Sequence, residues 1–135
     1  MKKMSQVLIE SQTTRVQTTG RLINNTTKVK DIHQYCALGA LACEMQLFSE
    51  KQSSYHEDET YLIQPTQSEI LRAYDIESIL DENIECSYCD GSYDEDYNKN
   101  GIYLSRDLSD YIVHLNDYHL KTFEEIGKDL EARGY

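Results

Sequence analysis

Between Asp81 and Asp96 the chain sets seven carboxylates, Asp81, Glu82, Glu85, Asp90, Asp94, Glu95 and Asp96, with no Lys or Arg among them, and inside that stretch stands Cys86-Ser87-Tyr88-Cys89. A segment so charged and so poor in apolar side chains cannot build a core of its own, so its shape depends on being tied to something else. The Cys pair before the turn-forming Asp90-Gly91 is one such tie. Two thiolates can converge there on one cation, for which zinc is the usual occupant. Farther on, His114 and His119 flank the end of an expected helix, at a spacing that lets both imidazoles reach one ion.

Together these residues read Cys-x2-Cys, 24 intervening residues, His-x4-His. The pattern resembles a Cys-Cys-His-His zinc finger, with Tyr93 and Tyr111 near where such fingers keep core residues, but with an intervening segment about twice the usual length. The plain alternative is a chance Cys pair and two surface histidines. If zinc binds, four protein ligands leave no open position for water, which makes the role structural. The helix would begin at Ser105-Arg106-Asp107 on an acidic surface, which does not suit DNA reading.

Within the same segment, Asp96-Tyr97-Asn98-Lys99-Asn100-Gly101 followed by Asp107 matches an EF-hand calcium loop. Asp96, Asn98 and Asn100 take positions 1, 3 and 5, Gly101 permits the sharp turn, Ile102 offers a backbone carbonyl, and Asp107 stands at position 12. This window of twelve residues resembles the loop of dockerin modules, which carry two where this chain has one. Two ligand carboxylates imply weak calcium affinity. The competing reading, an Asn/Asp-rich turn capped by Asp107, is the better one, because residues 90 to 95 make a poor entering helix.

Charge is concentrated. Of the net −11, residues 1–54 contribute +3, residues 55–110 contribute −12 and residues 111–135 contribute −2. Such a field repels phosphate, so direct nucleic-acid binding is not expected, apart from a local patch of Lys2, Lys3, Arg15, Arg21, Lys28 and Lys30. It suits a solvated face, a cation, or docking on a protein whose own site is basic. Seven of the 11 tyrosines lie between residues 55 and 103. Tyrosine supplies contact area at low entropic cost, so Tyr88, Tyr93, Asp94, Glu95 and Tyr97 form the expected interaction surface. No apolar run is long enough to span a membrane, and Val7-Leu8-Ile9 is too short for a signal peptide. The expected location is therefore the cytoplasm, where the four cysteines stay reduced.

Periodicity predicts a short helix over 5–12, a strand or hairpin over 13–23 around Gly20, and a turn at Asn24 to Thr27. A long core helix is expected from an N-cap at Asp31 to about Glu50, on Ile32, Tyr35, Cys36, Leu38, Leu41, Ala42, Met45 and Phe48. Tyr61-Leu62-Ile63 reads as a strand, and residues 67–74 as a helix after Pro65-Thr66, extendable over 75–80. Residues 81–101 read as loop. Leu104, Leu108, Tyr111, Ile112 and Leu115 mark another helix, and Thr122 with Glu125 is a capping box opening the last one. The expected fold is α+β and mainly helical. It is one small domain over 1–135, a short strand pair packed on a central helix, with an acidic loop insertion at 81–107 pinned by a metal.

Cys36 in the first turns of the core helix, one turn after His33, has the makings of a nucleophile with its base, and Asn116 could orient a histidine. Cys36 and Cys43 lie seven apart among small apolar residues, however, and core packing is the better reading.

Tyr35-Cys36-Ala37-Leu38-Gly39-Ala40-Leu41-Ala42-Cys43 resembles the Cys-Cys-Leu-Gly-Val-Leu-Cys helix of small proteins encoded by phages, prophages and other viruses. The tail is similar to that family's Leu-Asn-Asp, short gap, Phe-x-x-Ile and final acidic helix, through Leu115-Asn116-Asp117 and Phe123-Glu124-Glu125-Ile126, and residues 70–76 match a middle segment. The resemblance runs in order over most of residues 5–131. It departs at Tyr35, where the family tends to have Cys, and in the insertion 81–107 that carries both metal-like motifs. It implies a mobile-element origin rather than an activity. The expected function is a non-catalytic viral accessory protein of counter-defence type, which inhibits or sequesters a host protein through its acidic Tyr-rich surface and is compatible with a homo-oligomer. The alternatives are a cysteine-dependent hydrolase using Cys36 and a zinc-stabilised structural or adaptor module.

Overall fold

Six consecutive residues, Ala37 to Ala42, are all buried, so α2 (Ala37–Glu44) is apolar on every side and sits at the centre of the molecule. The computed structural model describes residues 1–24, 33–52, 54, 60–77, 79–89 and 103–135. In chain order these form α1 (Met4–Thr14), β1 (Val16–Gln17), β2 (Ile23–Asn24), β3 (Gln34–Tyr35), α2, β4 (Ser49–Gln52), β5 (Thr60–Ile63), α3 (Gln67–Ala73), β6 (Ile79–Glu85), β7 (Leu104–Asp107), α4 (Leu108–Val113) and α5 (Phe123–Ala132). The fold is a small α+β domain, as expected. Among the described residues no helix is long and apolar enough to cross a membrane.

The central helix is much shorter than its apolar pattern predicts. Cys36 is its N-cap, preceded by β3, and the expected cap Asp31 lies outside the described residues. At the other end Gln46 takes φ +55°, while Leu47 N donates to Ala42 O (3.0 Å) and Gln46 N to Cys43 O (3.1 Å). That pair of bonds is a Schellman cap, which turns the chain out into β4 although the apolar spacing continues to Phe48. The same cap ends α3, with Asp75 at φ +58° and Ile76 N donating to Leu71 O (3.1 Å), so residues 75–80 do not extend that helix. Both caps fold an apolar residue, Leu47 or Ile76, back against the core.

The strands around Gly20 do not pair with each other. Both flank β3, β1 in parallel and β2 antiparallel, giving a three-stranded sheet ordered β1-β3-β2. Leu22 O accepts from Cys36 N at 3.2 Å and lies against the backbone of Gly39, which seats this sheet on α2. α5 opens on the expected capping box, with Glu125 N donating to Thr122 Oγ1 (3.2 Å) and Thr122 N to Glu125 Oε1 (3.1 Å). It packs Phe123, Ile126 and Leu130 into the core that Met4, Val7 and Leu8 of α1 share.

The acidic segment is not all loop. Residues 79–85 and 104–107 form the antiparallel hairpin β6-β7, with a register shift between Ile79 and Ile84. Asp81, Glu82 and Asn83 are exposed while Ile84 is buried and Leu80 packs partly against the core, so the strand's few apolar contacts are masked by its solvent face. Likewise Leu104, expected in a helix, lies on β7, and the helix begins at Leu108.

Asn116 joins four parts of the fold. Its Oδ1 accepts from Ala37 N (3.0 Å) at the start of α2 and from Gln17 Nε2 (2.8 Å) on β1, and its Nδ2 donates to Thr18 O (2.9 Å). Gln17 in turn accepts from Phe123 N (2.9 Å) at the start of α5. Asn116 is 1% exposed, so truncating it strands buried donors and acceptors far from water. Asn116→Ala is expected to cost about 3 kcal/mol in denaturant unfolding, on the basis of roughly 1–3 kcal/mol for each stranded group; a loss within the error of the measurement would contradict this role.

Candidate metal centre

The hairpin delivers two thiols to the end of a helix. β6 runs directly into Cys86, whose N donates to Tyr103 O (3.1 Å) across the ladder, and the turn over Ser87 and Tyr88 brings Cys89 to the same side. On the helix side the spacing of the histidines looks wrong at first. Five residues along an α-helix rotate a side chain by about 140° beyond a full turn, which would put His114 and His119 on opposite faces. The structure resolves this with a π turn over His114–Tyr118 that continues α4, closed by His119 N donating to His114 O at 3.2 Å. The wider turn brings the two imidazoles to one side, with their rings 4.6 Å apart edge to face. Leu120, at φ +52°, then ends the helix, with Lys121 N donating to Leu115 O at 3.0 Å.

One ligand atom from each of Cys86, Cys89, His114 and His119 lies within 4.8 Å of all the others. Cys86 Sγ is 3.5 Å from His119 Nε2, and Cys89 Sγ is 3.4 Å from both His114 Nε2 and His119 Nε2. Zinc bonds of about 2.3 Å to sulfur and 2.0–2.1 Å to nitrogen, set at a tetrahedral angle, put neighbouring S and N about 3.5 Å apart. Three of the four S···N separations therefore match the edges of such a tetrahedron. A thiol proton at Cys89 could serve only one of the two imidazole nitrogens beside it, whereas one cation serves all four ligands. Burial pushes the Cys86 thiol up, while the N–H groups of Tyr88 and Cys89 pull it the other way by pointing at the sulfur. Such N–H groups favour a ligating thiolate.

Aromatic rings fix the imidazoles. His114, 2% exposed, is stacked between Tyr103 (4.1 Å) and Tyr118 (5.2 Å), and His119 meets the edge of Tyr118 (4.9 Å) and a tilted Tyr88 (5.9 Å). Tyr103 and Tyr118 were not singled out from sequence, and only their closeness to the ligands along the chain hinted at them. Arg133 ties the centre to α5, its Nη2 donating to Glu85 O (3.0 Å) and its Nε to Asp129 (3.0 Å).

Strand, turn and helix are thus arranged as in a finger, but the face a finger would offer to DNA is spent. Leu108, Ser109, Tyr111, Ile112 and Leu115 are all buried. Of the calcium-type set, Asp96, Asn98, Asn100 and Ile102 lie outside the described residues. Asp107 N-caps α4, its Oδ1 accepting from Ser109 N (2.9 Å) and Ser109 Oγ (2.6 Å). Tyr93, Asp94, Glu95 and Tyr97 also lie outside the described residues, while Tyr88 is exposed with Lys121 Nζ 4.0 Å over its ring.

At Cys36, where packing is the expected role and thiol chemistry the alternative, the environment is apolar and closed. Cys36 is 6% exposed, its sulfur accepts from Gly39 N at 3.4 Å, and burial raises its thiol, outweighing the downward pull of the Gly39 and Leu38 N–H groups at the helix start. His33 is exposed and set against the Tyr35 ring, 6.3 Å away, and Asn116 holds backbone groups as described above. No family model, curated protein or solved structure matches the chain.

Proposed function

We propose that this protein is a non-catalytic binding module whose acidic segment is held in place by a structural zinc ion on Cys86, Cys89, His114 and His119. The observation that carries the reading is the tetrahedral spacing of two sulfurs and two nitrogens, 3.4–3.5 Å across three of its edges. Four protein ligands close the coordination shell, so the ion supplies rigidity and leaves no position for substrate. What it holds is the base of the β6-β7 hairpin, and the stretch 55–110 to which that hairpin belongs carries the −12 charge. That charge supports a partner with a basic site, and the resemblance to phage and virus proteins supports a host factor inhibited or sequestered in counter-defence. Burial of Cys36 speaks for packing and leaves the hydrolase reading without support.

Elemental analysis of protein purified without added metal is expected to find one zinc ion per chain. Protein that carries none, and takes up none when zinc is supplied, would remove the basis of this reading.

A further inference from the structure

The two sulfurs of the metal centre are not equally shielded. Cys86 is 2% exposed beneath the hairpin, whereas Cys89 is only half-buried, next to the exposed Tyr88 on the outer turn. The two thiols are also separated by only two residues, Ser87 and Tyr88, on one turn, with their ligand atoms inside the same 4.8 Å cluster. The pair therefore has an outer member that a small oxidant can reach and an inner member close enough to complete a disulfide. Among the described residues the other two cysteines lack this arrangement: Cys36 is buried at the N-cap of α2, and Cys43 lies on the same helix a full seven residues on.

We infer that Cys86 and Cys89 form a peroxide-sensitive switch in which oxidation of the pair releases the metal and frees the acidic segment from its clip. The inference rests on the zinc reading above. The Cys89 thiolate sulfur attacks one oxygen of a hydroperoxide such as hydrogen peroxide, the O–O bond breaks, and hydroxide leaves, giving a sulfenic acid on Cys89. The Cys86 thiolate then attacks the Cys89 sulfur, forming the S–S bond and displacing a second hydroxide. Two thiolates and one peroxide thus become one disulfide and two hydroxide ions, with the peroxide reduced. A disulfide no longer offers the two anionic sulfurs, and two histidines alone hold zinc far more weakly. With the ion gone, Asn116 still anchors the π turn to α2 and β1, but the turn that carries Cys89 loses its link to the two imidazoles, so that turn and the helix end can separate.

The test treats zinc-loaded protein with hydrogen peroxide in the presence of a chromophoric zinc chelator and maps the thiols by mass spectrometry. The expected result is release of one zinc per chain together with a Cys86–Cys89 disulfide, with Cys36 and Cys43 still free, and recovery of zinc binding after reduction. The Cys89→His variant keeps four ligands without the outer sulfur. It should bind zinc and release it at least about tenfold more slowly. Zinc release without the Cys86–Cys89 disulfide, oxidation of Cys36 or Cys43 first, or equal release rates in Cys89→His would overturn the inference. Protein that never binds zinc would instead overturn the functional reading beneath it, and the elemental analysis reads that outcome separately.

Discussion

Replacing both thiols of the metal centre, Cys86→Ser with Cys89→Ser, is expected to abolish zinc binding and to lower the melting temperature by roughly 15 °C, equivalent to about 4 kcal/mol for a domain of this size. Structural zinc in isolated finger peptides supplies about 10–16 kcal/mol of apparent binding energy, nearly all of it folding energy. Here the effect is smaller because α1, α2, α3 and α5 share a core that does not need the ion. It remains large because the centre is built into that core: Cys86 and Ile84 are buried with Leu108, Tyr111 and Leu115, and the hairpin they anchor has few other apolar contacts. A strong chelator should lower the melting temperature of the native protein by a similar amount and leave the double variant unmoved. That second comparison separates loss of metal from simple loss of two packed sulfurs. A chelator that shifts neither protein would show that the four residues are held by packing alone.

What could be read from the sequence divides along a physical line. The Cys and His set was legible because the ligands are chemically distinctive and lie on two short local motifs, and α5 was legible because Thr122 and Glu125 form their capping box within four residues. Features set by backbone geometry were not. The π turn that makes His-x4-His a usable pair leaves no mark in residue type, and an α-helical reading of the same spacing would separate the two rings. The early end of α2 was missed because its left-handed cap falls on Gln46, and that of α3 because it falls on Asp75; glycine, the residue that usually announces such a cap, appears only at Gly134 after α5. β3 and the β1-β3-β2 pairing are two-residue strands whose partners lie far apart in the chain, below what alternation can reveal. Asn116 is a candidate orienter of a histidine by residue type, yet its amide joins the start of α2 to β1 and, through Gln17, to the start of α5. An amide side chain serves either purpose equally well, and only the partners decide.

Gly39→Ala is the other substitution with a large expected effect, and its direction runs against helix propensity. In an exposed helix interior the change would stabilise by about 1 kcal/mol, since alanine loses less conformational entropy than glycine. At Gly39 an added Cβ would stand 1.7 Å from Leu22 O and 2.7 Å from Leu22 C, both backbone atoms. No rotamer change relieves a clash with a carbonyl, and this carbonyl is held in place by accepting from Cys36 N at 3.2 Å. Relief therefore requires β2 and β3 to move off α2 as a unit, opening the contact that Leu22 and Tyr35 make with the core. Overpacking of this kind typically costs about 1–3 kcal/mol and more where backbone must yield, so a net loss of about 3 kcal/mol is expected even after the propensity gain. Gly20→Ala is the control that isolates the cause. Nothing lies within 4 Å of its added Cβ, and only its φ of +81° opposes the change, so its cost should stay near 1 kcal/mol. Denaturant unfolding of the two variants side by side decides the matter: equal costs would mean that Leu22 does not pack on the helix backbone, and a stabilised Gly39→Ala would mean that the three-stranded sheet is not seated on α2 at all.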